Sequence, residues 1–215
     1  MARKRRSDRS GGPQKKSAGR GKQQAPAHRF FGAHIAEEIL NNPDQEIASI
    51  HFATGFDFFE LEEIAKERSI PTARVEPERI AAMSSGERHH GVAVTLARLP
   101  KLNFDALEAT PENCLLALDQ VLDPMNLGAI TRSANAFGVR ALLCPKDRAA
   151  KVTDTAIRAS AGALAHTPVE YVTNLARELG ELKKMGFWGV ALDYAEDSKS
   201  IHELDIPKPW ILVAG

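Results

Sequence analysis

The second half of the chain alternates between short apolar runs and longer amphipathic segments, and this alternation restricts the fold more than any other feature. The run CLLALDQVLD (114–123) is almost continuously apolar, which is typical of a strand covered on both faces. The later segments are predicted as helix 126–138, strand 141–144, helix 152–166, strand 169–172, helix 175–186, strand 187–193 and strand 209–215. Such alternation predicts an α/β fold with a mainly parallel sheet and ligands at the carboxyl ends of its strands.

A smaller α/β/α unit is predicted ahead of this sheet, at residues 29–99. A helix is expected to begin near His28 and to place Ile35, Ile39 and Leu40 on one face. The remaining predicted elements are strand 47–53, helix 58–70, strand 71–76, helix 77–85 and strand 89–99. Prolines near both ends of residues 100–113 indicate a linker, so we expect a second domain at 114–215.

The charge of the chain is divided unevenly, although its net value is zero. Residues 1–29 hold ten of the 28 Lys and Arg residues but one of the 28 acidic residues, so this arm carries +9 and the remainder −9. Residues 1–28, rich also in Gly, Ser and Gln, are expected to be disordered. A basic arm on an acidic body favours binding of RNA or DNA phosphate; a solvated tail without a specific role is the alternative.

Composition argues against several other classes of protein. No apolar run approaches the ~18 residues of a membrane span, and the N-terminus has neither a secretory nor a transit pattern. Cys114 and Cys144 are too few for a disulfide framework or a zinc site, so we expect a cytoplasmic location. The adjacent His89 and His90 have no partners at ligand spacing, and we expect no metal site.

The segment DQVLDPMNLGAITRSANAFG (119–138) joins the first strand of the second half to its first helix. Asp123 precedes Pro124 and is expected to end the strand, because a residue before proline avoids the helical region. Asn126 is then placed to cap the helix, and Gly138 to stop it. A cap with no other role is one interpretation of Asn126.

The apolar residues of this helix predict which face is buried. The buried stripe is expected to consist of Ile130, Ala134 and Phe137. Arg132 lies off this stripe, near Gly128 and Asn135 on the exposed side. From the spacing alone, Arg132 is either a functional cation or a solvated surface base.

The same segment resembles the first signature of the SpoU (TrmH-like) 2′-O-ribose RNA methyltransferases of the SPOUT superfamily, with its Asn and Arg six residues apart. The run SAGA at 160–163 follows as in the family, and WILVAG (210–215) is similar to the opening of the second signature. Residues 29–99, with HHGVAV near their end, resemble the L30e-like substrate-binding domain of many members. The architecture is most similar to the bacterial 23S rRNA guanosine-2′-O-methyltransferases.

This resemblance implies transfer of a methyl group from S-adenosylmethionine to a ribose 2′-hydroxyl, with ribosomal RNA preferred to transfer RNA as substrate. It implies that Arg132 acts beside the phosphate next to the target ribose, while Asn126 orients neighbouring groups. Because a guanidinium stays charged in proteins, we interpret Arg132 as stabilising the developing alkoxide rather than as the base.

For the cofactor, the resemblance implies a site at the strand that ends with Gly215, so we expect Val213, Ala214 and Gly215 to form one wall. Leu192 and Asp193, at the end of an earlier strand, are expected to form another, because ligands bind at the carboxyl ends of parallel strands. In the family, further motifs follow this glycine and build a knotted loop around the adenosyl group. The sequence ends at Gly215, so we interpret the chain as truncated, with a natural edge strand as the alternative. Weak or absent binding of S-adenosylmethionine and an incomplete homodimer interface are then expected.

Four residues are expected to contact RNA, namely Arg158, Ser160, His89 and His90. For Ser160 and Gly162, within a run of small residues, close packing between helix and sheet is the alternative. For Arg158 the alternative is a surface base. Two other functions stay open for the chain: an RNA-binding module without catalysis, and an α/β domain that serves only in assembly.

Overall fold

The computed structural model describes residues 28–85, 88–196, 198–200, 203 and 205–215. The disorder predicted for the basic arm concerns residues 1–27 almost entirely, and these lie outside the described residues. The strands are β1 (His28–Phe31), β2 (Ile47–Ala53), β3 (Thr72–Val75), β4 (Val92–Leu96), β5 (Leu115–Leu118), β6 (Ala141–Pro145), β7 (Val169–Val172), β8 (Trp188–Ala191) and β9 (Trp210–Ala214). The α-helices are α1 (Ala33–Asn41), α2 (Phe59–Glu67), α3 (Pro77–Met83), α4 (Pro124–Ala136), α5 (Asp154–Ala159) and α6 (Leu175–Lys184). Short 3₁₀ turns lie at Phe104–Ala106 and Ala163–Ala165.

Strands β1 to β4 form a mixed sheet in the order β1-β4-β2-β3, in which β2 and β3 pair in parallel and the other pairs are antiparallel. Because side chains alternate along a strand, Phe30 and Phe52 pack with α1 and α2 on one face. Ala53 and Ala93 pack with Ile80 of α3 on the other. The first half is therefore a sheet with helices on both faces.

The start of α1 differs from the prediction. Residues 28–31 form the edge strand β1, and the helix predicted to begin near His28 begins at Ala33. Gly32 separates the two elements with a φ of 111°, a conformation that side chains larger than hydrogen rarely adopt.

Strands β5 to β9 form a five-stranded sheet in the order β7-β6-β5-β9-β8, with parallel pairing throughout. This confirms the predicted α/β fold with a mainly parallel sheet. Leu116 and Leu118 pack in the cluster that contains α4 and α5, whereas Leu115 and Ala117 pack with Leu182 of α6 on the opposite face. Since β5 lies between β6 and β9, the sheet winds in both directions from β5. In open parallel sheets, ligands bind at the carboxyl ends of strands at such a switch point.

The predicted helix at 152–166 is interrupted. Helix α5 ends at Ala159, and the chain turns through Ala161 and Gly162, whose φ values are 47° and 96°. At Gly162, a Cβ would lie 3.2 Å from Cγ1 of Ile35 in α1, so the turn is fixed by contact with the first half of the chain.

One hydrophobic cluster runs through both halves. It joins Phe30 and Leu40 of the first half to Leu127, Ile157 and Leu164 of the second. The two sheets are therefore held together by a continuous core.

The segment predicted as a linker, 100–113, packs against the second sheet. Leu102 and Leu107 are buried in the cluster on the α6 face. The backbone N–H of Leu102 donates a hydrogen bond of 2.7 Å to Oε1 of Glu170 in β7. Within the described residues, every helix is too short or too polar to span a lipid bilayer.

Candidate active site at the carboxyl edge of the second sheet

The turn from β5 into α4 is built by Asp123 and Pro124. The carboxylate of Asp123 accepts a hydrogen bond of 2.9 Å from the backbone N–H of Met125, which caps the helix. Pro124 occupies the first helical turn, where its missing N–H would have no partner within the helix. The prediction that Asn126 is the cap is therefore wrong. Asn126 lies inside the first turn, with an exposed side chain.

The buried face of α4 also differs from the predicted stripe. Ala134 is buried as expected, but Phe137 is 87% exposed and follows the last residue of the helix. The buried stripe keeps the spacing of i, i+4 and i+7 but begins at Leu127, three residues before the predicted start at Ile130. Its side chains are those of Leu127, Thr131 and Ala134. The hydroxyl of Thr131 is satisfied within the helix, since it donates a 2.7 Å hydrogen bond to the carbonyl of Leu127.

Gly128 was expected beside Arg132 on the exposed side, but it is buried against α5. A Cβ at this position would lie 2.7 Å from the Cβ of Ala159 and would overlap the carbonyl oxygen of Ala156. Contact between the backbones of α4 and α5 therefore sets the rotation of α4.

With this rotation, the side chain of Arg132 is exposed, as the sequence predicted. No acidic residue in the described part of the chain forms an ion pair with it. Asn126 lies six residues earlier, which corresponds to about 120° around the helix and about 9 Å along its axis. The two side chains are therefore on the same helix but on different faces, and a ligand that contacts both must extend around α4.

The carboxyl ends of β5, β9 and β8 bring the predicted cofactor residues together. The backbone N–H of Asp119 donates to the carbonyl of Ala214, and that of Leu192 donates to the carbonyl of Val213, each at 2.8 Å. A Cβ on Gly215 would overlap the carbonyl oxygen of Asp119, so the glycine is required by the close approach of the two strand ends.

Asp193 follows Leu192 and is exposed. Its carboxylate accepts a 2.7 Å hydrogen bond from the backbone N–H of Tyr194. Large exposed apolar side chains also follow the ends of β5 and β8, namely Leu122 (65% exposed), Met125 (57%) and Leu192 (53%). Apolar side chains next to strand-end backbone groups suit a ligand with a flat, partly apolar ring, such as an adenosyl group.

The residues predicted to contact RNA have different environments. Ser160 is fully buried, and its hydroxyl donates a 2.7 Å hydrogen bond to the carbonyl of Ile157. This burial leaves no side-chain surface for RNA and corrects the prediction in favour of close packing. Arg158 is half-buried, and its guanidinium donates to the hydroxyl of Thr155 at 3.2 Å.

His89 and His90 lie in the first half, in the turn before β4. Nδ1 of His89 accepts a 3.1 Å hydrogen bond from the backbone N–H of Gly91, and His90 is exposed with a φ of 45°. Over the described ranges, no three His, Cys, Asp or Glu side chains are grouped in a way that could hold a metal ion.

Two protein families match successive parts of the chain. The family described as RNA 2′-O ribose methyltransferase substrate binding matches residues 30–102, and the SpoU rRNA Methylase family matches residues 113–215. The 23S rRNA (guanosine-2′-O-)-methyltransferase RlmB of Nitrosomonas europaea is 38% identical over 196 residues, which cover 86% of this chain and 74% of the relative. The RlmB of Coxiella burnetii is 34% identical over 195 residues, with 86% and 77% covered.

Solved structures share the fold. An rRNA methyltransferase from Sinorhizobium meliloti superposes with a TM-score of 0.71 at 19% identity, covering 87% of this chain and 70% of that one. The SpoU methyltransferase AviRb from Streptomyces viridochromogenes, in complex with AdoMet, gives a TM-score of 0.68 at 17% identity, with 86% and 71% covered. From its sequence relatives, its two family matches and its fold, the chain belongs to the SpoU rRNA methylase family.

Proposed function

We propose that this chain methylates a ribose 2′-hydroxyl of RNA with S-adenosylmethionine, and that its substrate is a guanosine of 23S rRNA. Family membership supports the reaction, and the names of the two RlmB relatives support the substrate. On the chain itself, the observation that carries the proposal is the exposed guanidinium of Arg132. Arg132 lies on the helix that follows β5, the strand at the switch point of the sheet, and forms no ion pair with an acidic residue of the described part of the chain.

The reaction needs a positive charge at the acceptor oxygen. A ribose hydroxyl is a weak nucleophile until its proton is removed or its developing negative charge is stabilised. A guanidinium group carries a positive charge and five N–H donors, so Arg132 stabilises the oxygen as the new bond forms, while the proton leaves to a phosphate or to water. The bound cofactor supplies a methyl group on a positively charged sulfur, which makes that carbon reactive.

The proposed positions of the two ligands follow from the strand ends. Val213, Ala214 and Gly215 form one wall of the cofactor site, and Leu192 with Asp193 forms another. Asn126, in the first turn of the helix that carries Arg132, orients the groups that meet between cofactor and RNA.

On the RNA side, we propose Arg158, His89 and His90 as contacts, with the domain at 29–99 holding the substrate. His89 and His90 belong to this domain, whereas Arg158 belongs to the methyltransferase domain at 114–215. The cytoplasmic location, and the homodimer typical of the family, stay predictions. Light scattering of the purified chain tests the dimer.

Methyl transfer to transcripts tests the function directly. The protein expressed from its full reading frame is incubated with methyl-labelled S-adenosylmethionine and either a 23S rRNA transcript or transfer RNA, and label in RNA is counted. We expect label in the 23S transcript, and a loss of about 100-fold or more in kcat for Arg132→Ala, which is typical when a donor to a developing anion is removed. Arg140→Ala, an exposed arginine that precedes β6 at the opposite edge of the sheet, is the matched control.

Two outcomes would contradict the proposal. Transfer that Arg132→Ala leaves unchanged would exclude the assigned role of Arg132. Salt-sensitive binding of 23S rRNA without transfer, and without heat on titration with S-adenosylmethionine, would replace the enzyme by the RNA-binding module.

A further inference from the structure

A narrow cleft lies where the first half of the chain meets α5. Its volume is about 160 Å³. Arg29, Phe31 and Arg88 line it from the first half, and Ile157, Arg158 and Gly162 line it from the second. A Cβ on Gly162 would lie only 3.2 Å from Cγ1 of Ile35. This close approach of the two residues fixes the distance between the two sides of the cleft.

Three of the lining residues are arginines, namely Arg29, Arg88 and Arg158. Arg29 and Arg88 are exposed, and among the described residues neither forms an ion pair with an acid. Asp154 is an acid nearby, since it lines the adjoining hollow with Arg29 and Arg158. Glu87, next to Arg88 in sequence, lies outside the described residues.

The positive charge extends from the cleft onto the face of the first sheet. Arg29 pairs with Thr95 of β4 and His51 of β2 pairs with Ala93, which places Arg29 and His51 on the same face. The pKa of His51 is lowered, first by its burial and then by the charges of Arg79 and Arg29. Part of this shift comes from the positive charges of Arg79 and Arg29, which therefore lie near this face of the sheet.

The dimensions of the cleft indicate what it binds. Its volume of about 160 Å³ is room for a phosphate group. Guanidinium groups match phosphate oxygens with paired hydrogen bonds, and the apolar side chains of Phe31 and Ile157 exclude water behind them.

We propose that the cleft formed by Arg29, Arg88 and Arg158 binds backbone phosphate of the substrate RNA. This inference rests on the proposed function for the identity of the RNA and adds two residues, Arg29 and Arg88, that lie far in sequence from the methyltransferase signatures. Because the cleft has one wall in each half of the chain, a phosphate held there positions the RNA relative to both.

The test measures the affinity for a 23S rRNA fragment by fluorescence anisotropy over a series of salt concentrations. The double variant Arg29→Ala/Arg88→Ala is compared with the unaltered chain and with Arg177→Ala, an exposed arginine on α6. For each lost phosphate contact, the slope of log K against log salt falls by about 0.7 to 0.9, which at 0.15 M corresponds to about a four- to five-fold loss of affinity. We therefore expect a loss of about 15- to 25-fold for the double variant and of less than two-fold for Arg177→Ala.

Two results would overturn the inference. One is a double variant whose affinity and slope equal those of the unaltered chain. The other is an equal loss of RNA affinity in Arg177→Ala, which would mean that any exposed arginine contributes as much to RNA binding as those of the cleft. Thermal unfolding of all three proteins shows whether they are equally folded, and Arg29→Lys/Arg88→Lys, which keeps the charge, should recover most of the salt slope.

Binding of inorganic phosphate, measured by calorimetry without RNA, distinguishes an RNA site from a site for the free ion. We expect no binding at millimolar phosphate; a dissociation constant below about 0.1 mM that the double variant loses would assign the cleft to the free ion instead. Methyl transfer separates this inference from the proposed function. The double variant should raise KM with little change in kcat, whereas Arg132→Ala should lower kcat.

Discussion

Gly128 of α4 lies so close to Ala159 of α5 that a methyl group on Gly128 would be 2.7 Å from the Cβ of Ala159. Alanine in the middle of a helix normally stabilises it by up to about 1 kcal/mol relative to glycine. In Gly128→Ala, however, the two helices must move apart, and we expect the free energy of unfolding to fall by about 1–3 kcal/mol. Denaturation in urea measures this change.

Gly180 provides the matched control, because it lies within α6 with no atom within 4 Å of its missing Cβ. Gly180→Ala should raise the free energy of unfolding by about 0.5–1 kcal/mol. Similar gains for both variants would show that α4 and α5 are not in close contact at Gly128.

Asp123 and Asn126 are expected to separate stability from activity. Asp123→Ala removes the cap on the N–H of Met125 and should lower the free energy of unfolding by about 1 kcal/mol. Asn126→Ala should change it by less than about 0.5 kcal/mol, because this side chain is exposed, while lowering kcat for methyl transfer. Denaturation in urea measures the stability of both variants, and the transfer assay measures their kcat. A loss of stability in Asn126→Ala but not in Asp123→Ala would show that Asn126 is the cap.

The hydrogen bond between Glu170 and Leu102 should hold the connecting segment 100–113 against the second sheet. Glu170→Ala leaves the half-buried N–H of Leu102 without this acceptor, which costs about 1–3 kcal/mol. We expect faster amide exchange at Leu102 and faster proteolysis in this segment. Glu181→Ala, which removes an exposed ion pair with Lys184, is the control and should change neither rate; equal rates in both variants would argue against the anchoring role.

The stability of the protein should fall in alkali. Burial raises the pKa of the Cys144 thiol to about 11 and that of the Tyr171 hydroxyl to about 12, although the charge of Lys151 opposes the shift at Cys144. Both values exceed the usual ones of 9.0 and 10.0, so the folded chain holds these protons more tightly than the unfolded chain. Their contribution is complete below pH 9 and is lost as the pH rises towards 12. Urea midpoints between pH 7 and 11 measure this loss.

Tyr171→Phe tests the contribution of the phenol. At pH 7 it should lower the free energy of unfolding by about 1 kcal/mol, because the hydroxyl no longer donates to the carbonyl of Ala150 at 2.7 Å. Above pH 10 the midpoint should fall less steeply than in the unaltered chain. Tyr194→Phe, at a fully exposed tyrosine, should leave both quantities unchanged. An unchanged alkaline slope in Tyr171→Phe would contradict the assignment.

The alternation of apolar runs and amphipathic segments was enough to predict the α/β class and the parallel sheet, because strand and helix periods depend on local spacing. The exposure of Arg132 was also predictable. The rotation of α4 was not, since it follows from the contact between Gly128 and α5, which sequence spacing does not reveal. A signal for the cap was present: Asp123 directly precedes Pro124, and this pair marks the start of many helices.

Features formed between the two halves were beyond sequence reasoning. The helix predicted at 152–166 breaks at Ala161 and Gly162, where the chain contacts Ile35, a residue far away in the sequence. The helical spacing of the residues continues through this point, so spacing alone does not reveal the break. The cleft lined by Arg29, Arg88 and Arg158 has the same origin, because only the folded chain brings these arginines together.

The hydrophobic cluster that contains both Phe30 and Ile157 has a consequence for substrate selection. Since this shared interior joins the two halves, we expect a fixed separation in the native state between the turn at His90, which we propose as an RNA contact, and the side chain of Arg132. On the proposed function, the protein's shape then sets the spacing between a recognised RNA feature and the modified nucleotide, and we expect an RNA that bridges these two points with the wrong number of nucleotides to remain unmethylated.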